Sequence, residues 1–113
     1  MTWVDHKNGK RHISVDQRRL RRTVDQPQAT LDLHGYTLAA AQAAVAQFLD
    51  QASAQGVSPL LVIHGRGGRH PGRTSLCDVV PAWVRHHPAV IAHQPAPVQL
   101  GGNGAMVVWV RRR

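Results

Sequence analysis

Two short apolar strands, each running into a histidine and a glycine and separated by about one helix, narrow the folds open to this chain more than any other feature. The first is Leu31-Asp32-Leu33-His34-Gly35; the second is Leu60 to Ile63, followed by His64-Gly65-Arg66-Gly67. Thr30 to His34 alternates with period two, so Leu31 and Leu33 face one way and Thr30, Asp32 and His34 the other. Thr37 fits a helix N-cap. Leu38, Ala41, Val45, Phe48, Leu49 and Ala52 then form a stripe at helical spacing, and Gly56 fits just past its end. The unbroken run Leu60 to Ile63 predicts a strand buried on both faces. Pro59 stands at its start, where a missing N–H is tolerated. Strand, helix and strand of these lengths predict a right-handed parallel crossover. His34 and His64 would both lie at strand carboxyl ends, where open α/β sheets place ligands.

Further along, Leu76, Val79, Val80 and Trp83 repeat at helical spacing, which places Trp83 in the core. Pro81 interrupts that pattern and predicts a kink, or a helix that starts near Pro81; Pro88 ends it. Val90 to His93 reads as a third strand, Gly101 to Gly104 as a turn, and Ala105 to Val110 as a fourth strand carrying Trp109. The order β-α-β-α-β-β predicts an α/β, two-layer sandwich with a four-stranded mixed sheet over residues 29–113. An antiparallel last strand would bring Gly101 to Gly104 to the edge that carries both histidines.

Residues 1–28 differ. Lys7, Lys10, Arg11, Arg18, Arg19, Arg21 and Arg22 stand among few large apolar residues. They predict a basic N-terminal extension, either one that orders on binding or a solvated tail, with Ser14 placed to cap a short helix through Arg22. Trp3 is its exception, placed to dock on the domain or stack on a base. Across 113 residues, 14 Lys and Arg oppose 6 acidic groups, for a net charge of +8. That excess favours a polyanionic partner, nucleic acid ahead of an acidic membrane surface. The length suits one domain, and 42% hydrophobic residues supply its core. No apolar run reaches the roughly 18 residues of a spanning helix. The polar start lacks a signal-peptide stretch, so a cytoplasmic monomer is the expectation. Cys77 is the one cysteine, which excludes an internal disulfide and reads as a small core residue.

The chemistry on offer is acid–base work at a phosphate. Asp32 and His34, two apart on a strand, share a face roughly 7 Å apart. There Asp32 could orient His34 or hold a cation. Histidine titrates near neutrality, so His34 and His64 can take and give protons. Glycines in Gly65-Arg66-Gly67-Gly68 let backbone amides approach a phosphate, and Arg66 and Arg69 can neutralise its charge. Residues 67–74 nearly fit the phosphate-binding loop of nucleotidases, but Arg73 stands where the pattern needs lysine. The dinucleotide fingerprint fails at His70. His86, His87 and His93 match no common zinc spacing and read as solvated histidines.

Leu31-Asp32-Leu33-His34-Gly35, His64-Gly65-Arg66-Gly67 and Gly101-Gly102-Asn103-Gly104-Ala105 together, in this order, resemble the Smr (small MutS-related) domain family over Thr30 to about Val110. The resemblance implies a fold similar to the C-terminal domain of translation initiation factor 3 and an endonuclease acting on RNA or DNA, or a domain that only binds nucleic acid or acts near ribosomes. By motif match Asp32 and His34 would carry catalysis. His64, Gly65, Gly67, Gly102 and Gly104 would shape the phosphate-binding edge, joined by Gly35 and Asn103 of the same motifs. On RNA, the two histidines suffice without a cofactor. On DNA, a Mg2+ or Mn2+ ion on Asp32 would have to activate water. With only Asp32, Asp50 and Asp78 as acids in the domain, RNA is the expected substrate. A nucleic-acid or ribosome-binding module without turnover, and a binder of small nucleotides, are the alternatives.

Overall fold

The computed structural model describes residues 2–5, 11–14, 26–66 and 74–113. Strands β1 (Thr2–Asp5) and β2 (Arg11–Ser14) form an antiparallel pair. The domain proper runs β3 (Ala29–Asp32), α1 (Leu38–Gln55), β4 (Leu60–Ile63), α2 (Leu76–His86), β5 (Val90–Pro95) and β6 (Ala105–Val110). Short 3-10 turns at Val98–Leu100 and Gly102–Gly104 link the last two strands. The four-stranded sheet has the order β3-β4-β6-β5. β3 and β4 are parallel, while β6 is antiparallel to both β4 and β5. The expected mixed sheet and element order are therefore present.

Burial explains the strand patterns. Leu60 and Val62 of β4 enter one core cluster with Leu33, Val45, Leu49, Val80, Val84 and Val108. Leu61 and its neighbour Ile63 join a second cluster on the opposite face, with Val107 and Trp109. β4 is thus covered on both sides, as its unbroken apolar run requires. Ala41, Val45, Leu49 and Ala52 form the buried stripe of α1. Leu38, the first member of the expected stripe, is 42% exposed instead, because it stands in the opening turn, beyond the sheet. Thr37 Oγ1 accepts from the Ala40 N–H at 3.1 Å. Gly56 ends the helix at φ 69°, and the Val57 N–H reaches the Ala52 carbonyl, a left-handed termination suited to glycine. Trp83 packs against the core.

Four local expectations are corrected. α2 starts at Leu76 and continues through Pro81, rather than starting near it. Its start is fixed at Ser75, whose N–H and Oγ both donate to Asp78 Oδ2, at 3.2 and 2.8 Å, while the buried Val80 and Val84 hold the segment around Pro81 on the core. β5 extends to Pro95, with an irregularity between Val90 and Ala92. Ser14 closes strand β2 rather than capping a helix, and the rest of that expected helix lies outside the described residues. Cys77 is half-buried rather than in the core. Its sulfur lies 3.0 Å from Ser75 Oγ. Among the described residues no helix is long and apolar enough to cross a membrane.

The bonds from the Ser75 side chain and backbone hold the Asp78 carboxyl below its ordinary 3.8. A carboxyl depressed by native contacts stabilises the fold above its unfolded pKa and loses that contribution as pH falls through the folded value. The gap in melting temperature between wild type and Asp78→Ala is therefore expected to be open at neutral pH and to close progressively below about 3.8. A gap that stayed constant down the acid limb would refute this.

Candidate phosphodiester site

Three separate motifs meet at one sheet edge through main-chain hydrogen bonds. The Leu33 N–H donates to the Ile63 carbonyl at 2.9 Å, continuing the β3–β4 ladder one residue past the strand. The His64 and Gly65 N–H groups both donate to the Gly104 carbonyl, at 3.0 and 2.9 Å. The His34-Gly35 turn, the His64-Gly65-Arg66 segment and the Gly101 to Gly104 turn are thereby locked side by side. Neighbouring strands lie about 4.8 Å apart, so the edge is a narrow row.

His34 sits in a four-residue turn, closed by the Tyr36 N–H to the Leu33 carbonyl at 3.0 Å. Gly35 occupies its third position at φ 79°, a conformation that glycine adopts without steric cost. Asp32 Oδ1 accepts the His34 N–H at 2.9 Å, the Asx arrangement of a short acid two residues before a turn amide. Asp32 thus holds the backbone of His34. The His34 side chain is exposed and makes no hydrogen bond among the described residues.

His64 Nδ1 lies 2.7 Å from the Gly65 carbonyl oxygen. A carbonyl only accepts, so Nδ1 carries a proton and Nε2 is left as the nitrogen that exchanges one with a ligand. Arg66 is exposed beside it. A Cβ on Gly104 would stand 3.3 Å from Arg66 Cγ and 3.5 Å from the Gly65 carbonyl carbon. The bare backbone of Gly104 therefore gives the Arg66 stem its seat. Next to His64 an open cleft of about 280 Å³ is lined by Cys77, His93, Gln94, Asn103 and Met106 among others.

The expectation that glycine amides cradle the phosphate is changed in detail. The N–H groups of Gly65, Gly102 and Gly104 already donate to Gly104, Pro97 and Gly101 carbonyls, at 2.9, 3.0 and 2.9 Å. Positive φ angles at Gly65 (84°) and Gly102 (55°) account for glycine there. The amides of Gly35, Arg66 and Asn103 have no acceptor among the described residues. Those three, with the Arg66 side chain, form the donor set that the described residues present at this edge. Gly67 and Arg69 lie outside the described residues.

Several basic and acidic groups elsewhere are spent on structure. Arg111 Nη2 donates to the Pro88 carbonyl. Arg113 donates through its backbone to Ser53 O at 2.8 Å and through Nη2 to Asp50 O at 3.2 Å. These contacts pin the C-terminus at the sheet end opposite the histidines. His87, expected to be solvated, has a side chain only 11% exposed and bonds Asp50 Oδ1 through Nε2 at 2.8 Å. It is drawn in because its Nδ1 accepts the Ala89 N–H. Within the domain proper, Asp50 and Asp78 are committed elsewhere, and Asp32 is the carboxylate on the turn that carries His34. No group of three His, Cys, Asp or Glu side chains that could hold a metal ion occurs among those residues. Asp32 Oδ1 is already engaged by the His34 amide, which leaves Oδ2 for a further partner.

Comparison with known proteins agrees with the motifs. Residues 31–111 match the family model of the Smr domain. The chain is 36% identical over 93 residues to ribosome rescue factor SmrB of Photobacterium profundum, covering 82% of this chain and 50% of that protein. It is 35% identical over 110 residues to the SmrB of Shewanella sp. strain W3-18-1, covering 97% and 57%. It therefore spans about half the length of these curated relatives. Among solved structures it is similar to YdaL, a stand-alone small MutS-related protein from Escherichia coli. That match has a TM-score of 0.72 and 27% identity, over 88% of this chain and 79% of that one. It is also similar to the Smr domain of Thermus thermophilus MutS2, with a TM-score of 0.63 and 34% identity, over 74% and 98%.

Proposed function

The chain belongs to the Smr domain family, and from that premise we infer that it is a nucleic-acid endonuclease that cuts RNA by histidine acid–base chemistry. The observation that carries this reading is the pair of backbone links Leu33 N–H to Ile63 O and His64 N–H to Gly104 O. They support two imidazoles on adjacent strand ends with Arg66 beside them. In the proposed reaction His34 takes the proton of a 2′-hydroxyl. The 2′-oxygen attacks phosphorus as the bond to the 5′-oxygen breaks, and His64 Nε2 gives that oxygen its proton. The products are a 2′,3′-cyclic phosphate and a 5′-hydroxyl. Arg66 balances charge that builds on the phosphate. Asp32 acts through the backbone amide of His34, fixing the turn from which the imidazole projects.

The relatives named ribosome rescue factor support RNA held at a ribosome as the setting, and hence the cytoplasm as the compartment. Among the described residues Asp32 is the carboxylate on the turn that carries His34, and the two-histidine route to RNA cleavage asks for no metal-activated water. The test is incubation of the purified chain with end-labelled single-stranded RNA, matched DNA and ribosome-bound RNA, in Mg2+ or in EDTA. RNA cleavage that persists in EDTA and leaves cyclic phosphate ends is the expected result. Plain 5′-phosphate ends, or cleavage arrested by EDTA, would refute histidine transesterification. Salt-dependent binding without cleavage on any of the three would move the protein to the binding-module class.

A further inference from the structure

Beside the histidine edge stands an aromatic side chain that the proposed chemistry does not use. Tyr36 is 43% exposed, one of three large hydrophobic residues so exposed among the described residues. It leaves the same four-residue turn as His34, and its N–H closes that turn on the Leu33 carbonyl. The next residue, Thr37, caps α1. Both flanks of Tyr36 are therefore fixed, so its ring is presented to solvent from rigid backbone at little cost in chain entropy. Leu38, two residues on, is also exposed.

We propose that Tyr36 is a stacking platform for an unpaired nucleobase, holding the nucleotide that adjoins the phosphate between His34 and His64. The inference rests on the endonuclease reading above and assigns a base-binding residue to that site. The ligand chemistry follows from the surroundings. An exposed aromatic ring on the turn that carries His34, in a chain of charge +8, matches a planar base attached to a phosphate. Stacking of this kind tolerates any base and requires a single strand. The competing role for Tyr36 is a hydrophobic staple, in which the residue before an N-cap packs on the fourth helical residue. That residue is Ala41, which is fully buried and offers a single methyl.

Leucine keeps a staple and loses the stack; phenylalanine keeps both. Binding of 2′-O-methyl RNA, which cannot be cut through its 2′-position, to wild type, Tyr36→Phe and Tyr36→Leu separates the roles. A series with a single abasic position moved along the strand completes the test. Tyr36→Leu is expected to bind about 5- to 150-fold more weakly, and Tyr36→Phe within about two-fold of wild type. One abasic position should weaken wild type by the same factor and leave Tyr36→Leu no weaker still, since the two changes remove one contact. Wild-type affinity in Tyr36→Leu, or an abasic penalty undiminished in that variant, would overturn the assignment while leaving the endonuclease reading intact. A wild-type chain that bound no single strand would overturn the assignment, and the endonuclease reading would then stand or fall on cleavage of ribosome-bound RNA.

Discussion

In His34→Ala, RNA cleavage is expected to fall by about 10²- to 10⁴-fold, the usual contribution of a positioned acid or base, with the melting temperature unchanged. The stability expectation follows from exposure: the ring makes no hydrogen bond among the described residues, and the turn is held by backbone and Asp32 contacts that alanine keeps. His64→Ala should lose a similar factor. The two rings act on one transfer, so the double variant should be little slower than either single one. Their roles separate on a substrate whose 5′-oxygen is replaced by sulfur, a leaving group that departs without a proton. His64→Ala should recover most of its rate on that substrate and His34→Ala should not. Recovery of both, or of neither, would break the assignment of acid and base. Asp32→Ala tests the turn contact. It should slow cleavage through misplacement of His34, and Asp32→Asn, whose amide oxygen can still accept the His34 N–H, should restore part of the rate. An equal loss in both variants would show that the carboxylate charge itself matters.

Much of this edge was legible in the residues, because the crossover left little choice. Once Leu31 to Leu33 and Leu60 to Ile63 were parallel neighbours, His34 and His64 had to share a sheet edge. The Gly101 to Gly104 turn joined them once β6 ran antiparallel, with Ile63 opposite Ala105. What pattern could not supply was the use of each polar atom. The glycines of the motifs look alike as letters. Yet Gly65 and Gly102 are there for φ, and Gly104 for the seat of the Arg66 stem. Their N–H groups are consumed internally, which only the fold decides. Asp32 could orient His34 or hold a cation, and only the fold shows that its Oδ1 accepts the His34 backbone N–H. The C-terminal arginines carried charge toward a polyanion in the sequence, but the ends of β6 and β4 point in opposite directions, and that places them away from the site. Tyr36 could have been singled out as an aromatic residue outside the buried stripe of α1. Its exposure was not decidable, because a residue before an N-cap can also pack back on the first turn of its helix.

The largest stability effect at this edge is expected at Gly101, in contrast to Gly65. Both have positive φ, at 121° and 84°. Around Gly65 a new Cβ would meet nothing within 4 Å, whereas at Gly101 it would lie 2.9 Å from the Ala105 Cβ. Ala105 is 2% exposed and pairs with Ile63, so its methyl is tied to the ladder and cannot swing aside. Gly65→Ala should therefore cost only the backbone term, about 1–2 kcal/mol. Gly101→Ala should add overpacking to strain, for a total of about 2–5 kcal/mol, a large share of the ~5–15 kcal/mol that holds a domain together. Urea midpoints at constant slope measure the difference. Gly65→Asn should recover part of the Gly65→Ala loss, since asparagine tolerates the left-handed region. Cleavage separates geometry from ligand binding. The Gly65 N–H is already donated to Gly104, so Gly65→Ala should retain its rate per folded molecule. Equal midpoints for the two alanine variants would mean that the β6 end yields to the methyl. A rate lost in Gly65→Ala without lost stability would mean that bare backbone at Gly65 is needed by the substrate itself.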